Sequence, residues 1–183
     1  MNYMGFFRVT AASPLVRIAD LEYNLRQCID VLKREGTCRD LAEECELPRT
    51  QSDLIVYPEL SLSAYTCGDL FHNEQLLDST EEYLLRFADE TKEYDTLIFI
   101  GAPLRRRGQL YNCAVAVCRG RILAVIPKTF LPNYNEFYEK RWFASGAGIE
   151  DGSITIGDGE VPFGTDVLVR HKGVLVGAEI CED

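Results

Sequence analysis

The stretch YNCAVAVCRGRILAVIPK (111–128) contains two apolar runs joined by Arg119-Gly120 and followed by Lys128. Two β-type runs separated by a two-residue turn predict a β-hairpin. Outward from this hairpin, runs of the same kind predict six further strands. They are FFRVTAA (6–12), DLIVY (53–57), TLIFIGAPL (96–104), SITI (153–156), DVLVRH (166–171) and VLVGAEI (174–180), the last two joined by Lys172-Gly173 as a second hairpin.

Two helices are predicted between the early strands. Asp20 is expected to begin the first, an amphipathic helix with apolar residues at 21, 25, 28, 31 and 32 and Gly36 as its stop signal. The second is expected over 79–92, with Tyr83, Leu84, Phe87 and Ala88 on one side. Residues 37–52 are expected to form a short helix and a loop. Helices near the start and hairpins near the end predict one layered α/β domain over residues 1–183.

The chain is acidic, with a formal net charge of −10 over 183 residues. Nucleic acid and anionic membranes need a basic surface, so neither is expected as a partner. The basic cluster Arg105-Arg106-Arg107 precedes Gly108 and is interpreted as a solvated turn. No apolar stretch approaches the ~20 residues of a membrane span, and the N-terminus does not have the pattern of a signal peptide.

Seven cysteines are present, an odd number without a CxxC pair, which favours free thiols in a reducing cytoplasm. The two histidines, His72 and His171, are far apart in sequence. We therefore predict no metal site, and we expect most cysteines to be small buried hydrophobic residues.

Three residues with reactive side chains follow predicted strands directly. They are Glu59 after DLIVYP, Lys128 after RILAVIP, and Cys181 after VLVGAEI. Each alone has an ordinary structural interpretation, a surface acid, a solvated lysine or a core thiol. Together they favour an active site gathered at strand ends. A Cys–His dyad is the commoner alternative, but neither histidine directly follows a predicted strand as these three residues do.

The chemistry of these three groups is that of acyl transfer from an amide. Cys181 supplies a nucleophilic sulfur, which needs a proton acceptor and a positive neighbour. Glu59 is expected to take the thiol proton and return it to a leaving amine. Lys128 is expected to stabilise the thiolate and the oxyanion of the intermediate.

The segments IVYPELSLSAY (55–65), AVIPKTFLPNYNEFYEKRWFASG (124–146) and GAEICED (177–183) resemble the nitrilase, or carbon–nitrogen hydrolase, family. This resemblance implies an α-β-β-α layered sandwich. It places the family's catalytic Glu, Lys and Cys on Glu59, Lys128 and Cys181, and its second glutamate on Glu139. The likeness is closer to one branch, the N-terminal glutaminase domain of glutamine-dependent NAD⁺ synthetases, and covers nearly the whole chain.

That branch implies a division of labour. The glutaminase domain hydrolyses glutamine without a cofactor, and ammonia passes to a separate C-terminal synthetase domain that uses ATP and Mg²⁺ to make NAD⁺. Tyr134 matches a position that meets glutamine, and Glu182 matches a residue that holds its α-amino group. Their alternative interpretations are that Tyr134 packs the loop and that Glu182 caps a helix. A homo-oligomer is also implied.

The family fold has further strands and helices after the nucleophile, and residues 36–52 are longer than the connection expected there. We therefore expect this chain to be the front part of a glutaminase domain, incomplete at its C-terminus. Two alternatives remain open from the sequence: another nitrilase-type amidase with a different small amide or nitrile substrate, and a catalytically silent scaffold.

Overall fold

The computed structural model describes residues 6–38, 51–150 and 152–183, and its centre is a seven-stranded mixed sheet. The predicted segment 37–52 falls mostly outside these residues. The strands of this sheet are β1 (Val9–Ala11), β2 (Leu54–Val56), β3 (Leu97–Arg106), β4 (Gln109–Cys118), β5 (Arg121–Pro127), β6 (Gly152–Ile156) and β7 (Gly159–Phe163). A separate two-stranded sheet consists of β8 (Val169–His171) and β9 (Val174–Val176).

The order of the strands in the large sheet is β1-β2-β3-β4-β5-β7-β6. The first three are parallel, and β3, β4 and β5 form an antiparallel meander. The predicted hairpin of β4 and β5 is confirmed, with Arg119 and Gly120 at φ values of 51° and 75° in its turn. Such positive φ values match the right-handed strand twist, which is why glycine is favoured there.

Two helices, α1 (Leu21–Glu35) and α2 (Glu74–Glu90), accompany the sheet, and α2 contacts β3. Asp20 caps α1 by accepting a hydrogen bond from the backbone of Tyr23, and all five predicted apolar positions of α1 are buried. Helix α2 begins five residues before the predicted start at 79, because the Asn73 side chain accepts a bond from the backbone of Leu76. The predicted start was wrong since a good N-cap satisfies an otherwise orphaned N–H.

Both faces of the sheet are covered. Alternate residues of β3 point to opposite sides, so that Ile98 and Ile100 belong to the main core with the helices. Leu97 and Phe99 belong to a second cluster that includes Val169 of β8. The molecule thus has a helical layer, the large sheet and the small sheet, which confirms a layered α/β architecture.

Several predicted boundaries were wrong for identifiable reasons. Strand β7 was not predicted, because its sequence GEVPF has only two buried apolar residues, Val161 and Phe163, and Pro162 between them lacks a ladder N–H. Strand β9 ends at Val176 rather than 180, since its partner β8 begins only at Val169. Two residues of the presumed arginine turn lie in β3, and Arg106 is buried with its guanidinium 4.4 Å from the Phe163 ring centre.

No helix in the described part of the chain is long and apolar enough to cross a membrane.

The turn that follows β2 is set by close contact with β3. A Cβ atom on Gly101 would lie 2.2 Å from the backbone nitrogen of Leu60 and 2.6 Å from the carbonyl oxygen of Pro58. The hydroxyl of Ser61 accepts a hydrogen bond from the Gly101 N–H at 3.2 Å. Only glycine permits this approach, and the backbone on either side of Glu59 is thereby fixed.

We predict that Gly101→Ala destabilises the protein by at least about 3 kcal/mol, since the added methyl meets backbone that has no room to move. Urea unfolding followed by circular dichroism measures this. Gly159→Ala is the matched control, because its nearest atom would be 3.7 Å away. Similar midpoints for both variants would contradict the close approach.

Candidate active site

Lys128 is the most deeply buried charged residue of the site, and its side chain is fully shielded from solvent. It follows Pro127, the last residue of β5, as predicted. Its backbone remains tied to the sheet, because its N–H donates to the Asn112 carbonyl at 2.8 Å and its own carbonyl accepts from Gly146 at 2.8 Å. An ammonium in such a place requires partners that replace water.

Two carboxylates supply those partners. The Nζ atom of Lys128 lies 2.7 Å from Glu59 Oε1 and 2.7 Å from Glu139 Oε1. Glu59 comes from the turn after β2, whereas Glu139 begins a short 3₁₀ helix, Glu139–Arg141, in the long loop after β5. Glu139 is buried and the Glu59 side chain keeps about a fifth of its surface exposed. Three separate segments therefore meet at one ammonium group.

Two further residues complete this network, and sequence reasoning missed both. Asn112 of β4 donates through Nδ2 to Glu59 Oε1 at 2.5 Å. The hydroxyl of Tyr65 donates to Glu139 Oε1 at 2.6 Å. Tyr65 begins a 3₁₀ segment, Tyr65–His72, in the region that was predicted as an irregular aromatic loop. Each carboxylate is thus oriented by a neutral donor as well as by Lys128.

Glu59 and Cys181 line the same cavity, whose volume is about 280 Å³. Asn112 lines it as well, beside apolar residues of β2 and β3. Cys181 is exposed, and its backbone has a φ of 58°, an uncommon conformation for a residue other than glycine. The strained backbone turns this residue within the segment that leads away from β9.

The electrostatics of the site favour a charged lysine and a neutral thiol. Burial lowers the pKa of Lys128, but the hydrogen bonds and charges of Glu139 and Glu59 outweigh it and raise the pKa above its ordinary value. For Cys181, partial burial raises the pKa, Lys128 lowers it, and the carboxylates of Glu59 and Glu139 raise it again. The net effect is a raised pKa, so a base is needed to produce the thiolate.

Asp183 is another residue that sequence reasoning missed. Its Oδ1 atom accepts hydrogen bonds from the backbone N–H groups of Thr129 and Phe130, both at 2.8 Å. Its Oδ2 atom accepts from the backbone of Ile180 at 3.2 Å. One carboxylate therefore fastens the residues after Lys128 to the residue before Cys181. No sequence pattern pointed to this role, because all three donors are backbone groups.

Tyr134 and Glu182 contact each other at the surface. The Tyr134 hydroxyl donates to Glu182 Oε1, and this hydrogen bond raises the pKa of the tyrosine. The ring of Tyr134 is about half exposed. Neither residue is among those that line the cavity. The structure thus pairs the two proposed substrate-binding residues with each other, and Glu182 is next to Cys181 in sequence.

The prediction that Glu59, Lys128 and Cys181 directly follow strands was wrong for two of the three residues. Lys128 does follow its strand directly, but Glu59 is three residues beyond Val56 and Cys181 is five beyond Val176. Both residues lie in irregular segments that follow the strands β2 and β9. His171, in contrast, does end a strand, β8, but it is not among the residues that line the cavity.

Comparisons with known proteins find chains of similar sequence and fold. The family model described as carbon–nitrogen hydrolase matches residues 8–183. Glutamine-dependent NAD(+) synthetases of Mycobacterium tuberculosis and Thermotoga maritima are 39% and 31% identical to the chain, each over 98% of it. A solved glutamine-dependent NAD(+) synthetase from Cytophaga hutchinsonii superposes with a TM-score of 0.82 at 29% identity over 97% of the chain. These matches confirm the predicted nitrilase-like fold and the resemblance to the N-terminal domain of such enzymes.

The chain spans about a quarter of the length of these relatives, 25% and 26% of the two synthetases and 28% of the solved chain.

We predict that Lys128→Met lowers the free energy of unfolding by about 3–5 kcal/mol, because it leaves two carboxylates packed without their cation. Chemical denaturation measures the loss, and Lys140→Met at an exposed neighbouring position is the control. Adding Glu139→Gln to Lys128→Met should recover part of the loss by removing one uncompensated charge. A loss for Lys128→Met no larger than the control's would show that the network does not stabilise the fold.

We also predict that alkylation of Cys181 by iodoacetamide rises with pH through a midpoint above the ordinary thiol pKa of about 8.5. Glu59→Gln should lower this midpoint and Lys128→Met should raise it, since the two charges act on the thiol with opposite sign. Mass spectrometry of the Cys181 peptide separates this thiol from the other cysteines. Midpoints that move together in the two variants, or not at all, would place Cys181 outside the network's influence.

Proposed function

Because this chain belongs to the carbon–nitrogen hydrolase family, we propose that it hydrolyses the side-chain amide of glutamine through a thioester on Cys181. The observation that carries the proposal is the buried Lys128, held between Glu59 and Glu139 beside a cavity that Glu59 shares with an exposed thiol. Glutamine is the proposed amide because the similar chains named above are glutamine-dependent enzymes.

In the first half of the reaction, Glu59 takes the proton of the Cys181 thiol. Oε1 of Glu59 already accepts hydrogen bonds from Lys128 and Asn112, so Oε2 is assigned as the basic oxygen. The thiolate attacks the amide carbon, a carbon–sulfur bond forms, and the carbonyl electrons move to oxygen. Lys128 has three N–H donors, of which the two carboxylates engage two, and the third is assigned to this oxyanion.

The intermediate then collapses. The carbon–nitrogen bond breaks, the nitrogen takes the proton held by Glu59, and ammonia leaves. Glu59 next removes a proton from water, whose oxygen attacks the thioester carbon. The carbon–sulfur bond breaks, the sulfur regains its proton from Glu59, and glutamate is released.

The remaining residues hold these groups in position. Glu139 accepts a hydrogen bond from Lys128 and is itself held by Tyr65. These contacts keep the ammonium oriented towards the proposed oxyanion, so that it need not reorganise during the reaction. Asp183 fixes the relative position of the Lys128 and Cys181 segments. Glu182 is proposed to hold the α-amino group of glutamine and Tyr134 to contact the substrate, supported by their hydrogen bond to each other and by their exposure.

The released ammonia is proposed to serve a synthetase domain in a larger protein, where ATP and Mg²⁺ drive amidation of nicotinic acid adenine dinucleotide to NAD⁺. The glutaminase half requires no cofactor in this proposal. A homo-oligomer is proposed on the resemblance, and a cytoplasmic location is proposed on the cysteine pattern, which favours free thiols. The acidic composition favours neither nucleic acid nor membrane as a partner.

We expect an electrophilic glutamine analogue to label Cys181 and no other cysteine, because Cys181 is exposed and lines the cavity with Glu59, whereas Cys113, which lines the same cavity, is buried. Peptide mapping by mass spectrometry identifies the adduct. Cys181→Ala should lower glutamine hydrolysis by ~10³-fold or more, since loss of a nucleophile removes the covalent route. Cys38→Ala, at another partly exposed thiol, should leave the rate unchanged.

In the larger protein, Cys181→Ala should abolish NAD⁺ formation from glutamine and spare formation from added ammonia. Equal loss of both activities would rule out a separate ammonia-generating site. A panel of small amides and nitriles completes the test, because a preferred substrate other than glutamine would indicate a different amidase.

A further inference from the structure

Three residues with metal-binding side chains converge away from the cavity of Cys181. Cys118 is the last residue of β4, His171 is the last residue of β8, and Asp95 lies between α2 and β3. One ligand atom from each lies within 4.8 Å of the other two. The three positions are separated by 23 and 53 residues in the sequence, so spacing did not reveal the cluster. The prediction of no metal site rested on the absence of a CxxC pair and on the distance between the two histidines in the sequence.

The cluster contains a buried nitrogen that lacks a partner. His171 is about nine-tenths buried, and its Nε2 atom has no hydrogen-bond partner among residues 6–38, 51–150 and 152–183. A buried polar atom in this condition costs free energy unless a donor, an acceptor or an ion satisfies it. This atom therefore points to a ligand, independently of the three-residue grouping.

The protonation states of the cluster suit metal binding. Burial lowers the pKa of His171, so its imidazole is neutral and has a lone pair to donate. Burial, reinforced by the charge of Asp95, raises the pKa of Cys118 to about 11, so the sulfur is a thiol until a cation displaces its proton. Binding would thus release one proton from Cys118.

Two cations lie next to the cluster and have to be compatible with it. Arg119 donates to Asp95 Oδ1 through Nε at 2.9 Å and through Nη2 at 2.6 Å. Lys172 Nζ lies 3.9 Å from Asp95 Oδ2 and makes its shorter contact with Asp53 at 2.7 Å. Oδ2 of Asp95 is therefore left as a ligand atom, since one carboxylate has lone pairs for both an arginine and a metal.

We propose that Cys118, His171 and Asp95 bind a zinc ion. Thiolate, imidazole and carboxylate together are a ligand set of Zn²⁺, whereas Mg²⁺ and Ca²⁺ prefer oxygen ligands throughout. Three protein ligands leave a fourth tetrahedral position for water. A Cys–His–Asp catalytic triad is a weaker interpretation of the same residues, because Cys118 exposes 6% of its surface and His171 9%, too little for a substrate to reach the sulfur.

The bound ion would act as a clamp. Hairpin β8–β9 lies on the sheet through apolar contacts such as Val169 and through the ion pair of Lys172 with Asp53. Coordination by His171 would add a bond from this hairpin to β4. The chain continues from β9 directly to Cys181, so the clamp would hold the base of the segment that carries the thiol.

The test uses metal-free protein with Cys181→Ala, which removes the exposed thiol near Glu59 as a competing ligand. Zn²⁺ is titrated against a chromophoric chelator, and Co²⁺ is added separately to detect a thiolate-to-cobalt charge-transfer band. We expect one equivalent to bind, the band to appear, and the melting temperature to rise with Zn²⁺. In the same background, His171→Asn and Asp95→Asn should each weaken binding at least ~100-fold, more than the loss of a second-sphere residue.

Cys113→Ala is the matched control, because Cys113 is a buried thiol on the same strand that stands outside the cluster. It should leave zinc affinity unchanged. Cys118→Ala should also weaken zinc binding. If this variant does not fold, Asp95→Asn and the cobalt band test the site instead, because Asp95 is partly exposed and its substitution is less disruptive to the fold. Absence of stoichiometric binding, or equal affinity in the His171→Asn, Asp95→Asn and control proteins, would overturn the proposal. Neither result bears on glutamine hydrolysis.

Discussion

The burial of the Lys128 ammonium between two carboxylates is the constraint on which the rest of the site depends. Removing this charge from water costs several kcal/mol, and only close, well-oriented acceptors compensate. Glu59 and Glu139, each 2.7 Å from Nζ, provide them from the turn after β2 and from the loop after β5. These segments are irregular, and neither has a sheet ladder of its own to fix it. The shared ammonium, together with the close approach at Gly101, is what gives them one conformation.

Local sequence signals predicted many of the parts of the fold whose causes are local, although the equally local N-cap of α2 at Asn73 was missed. The cap at Asp20, the buried face of α1 and the turn at Arg119-Gly120 all depend on residues within a few positions of one another. Strand β7 depends instead on its neighbours, because it pairs along its length with β6 and at Phe163 with β5 despite Pro162. The early end of β9 likewise depends on where β8 begins. Pairing partners decide such cases, and a single run of residues does not contain that information.

The same distinction applies to the site. Glu59, Lys128, Glu139 and Cys181 were identified because each lies in a recognisable segment, although the roles assigned to them stay predictions. Asn112 and Tyr65 were missed because nothing in their own segments distinguishes them from ordinary strand and loop residues. Asp183 acts through backbone donors, and the proposed zinc ligands come from three segments distant in sequence. Three-dimensional proximity created these arrangements, so sequence spacing alone did not indicate them.

The balance of charge around Lys128 also bears on how the proposed reaction starts. Two carboxylates and one ammonium give the network a formal charge of −1. Loss of the Cys181 proton to solvent would change the charge of the network from −1 to −2. Partial burial of the thiol and this added negative charge both raise the pKa of Cys181. Transfer of the same proton to Glu59 leaves the total at −1 and frees a thiolate beside Lys128. In the proposed reaction, the surplus of carboxylate charge over ammonium charge therefore disfavours loss of the thiol proton to solvent but permits its transfer to Glu59, and Glu139 contributes to this surplus as well as to holding Lys128.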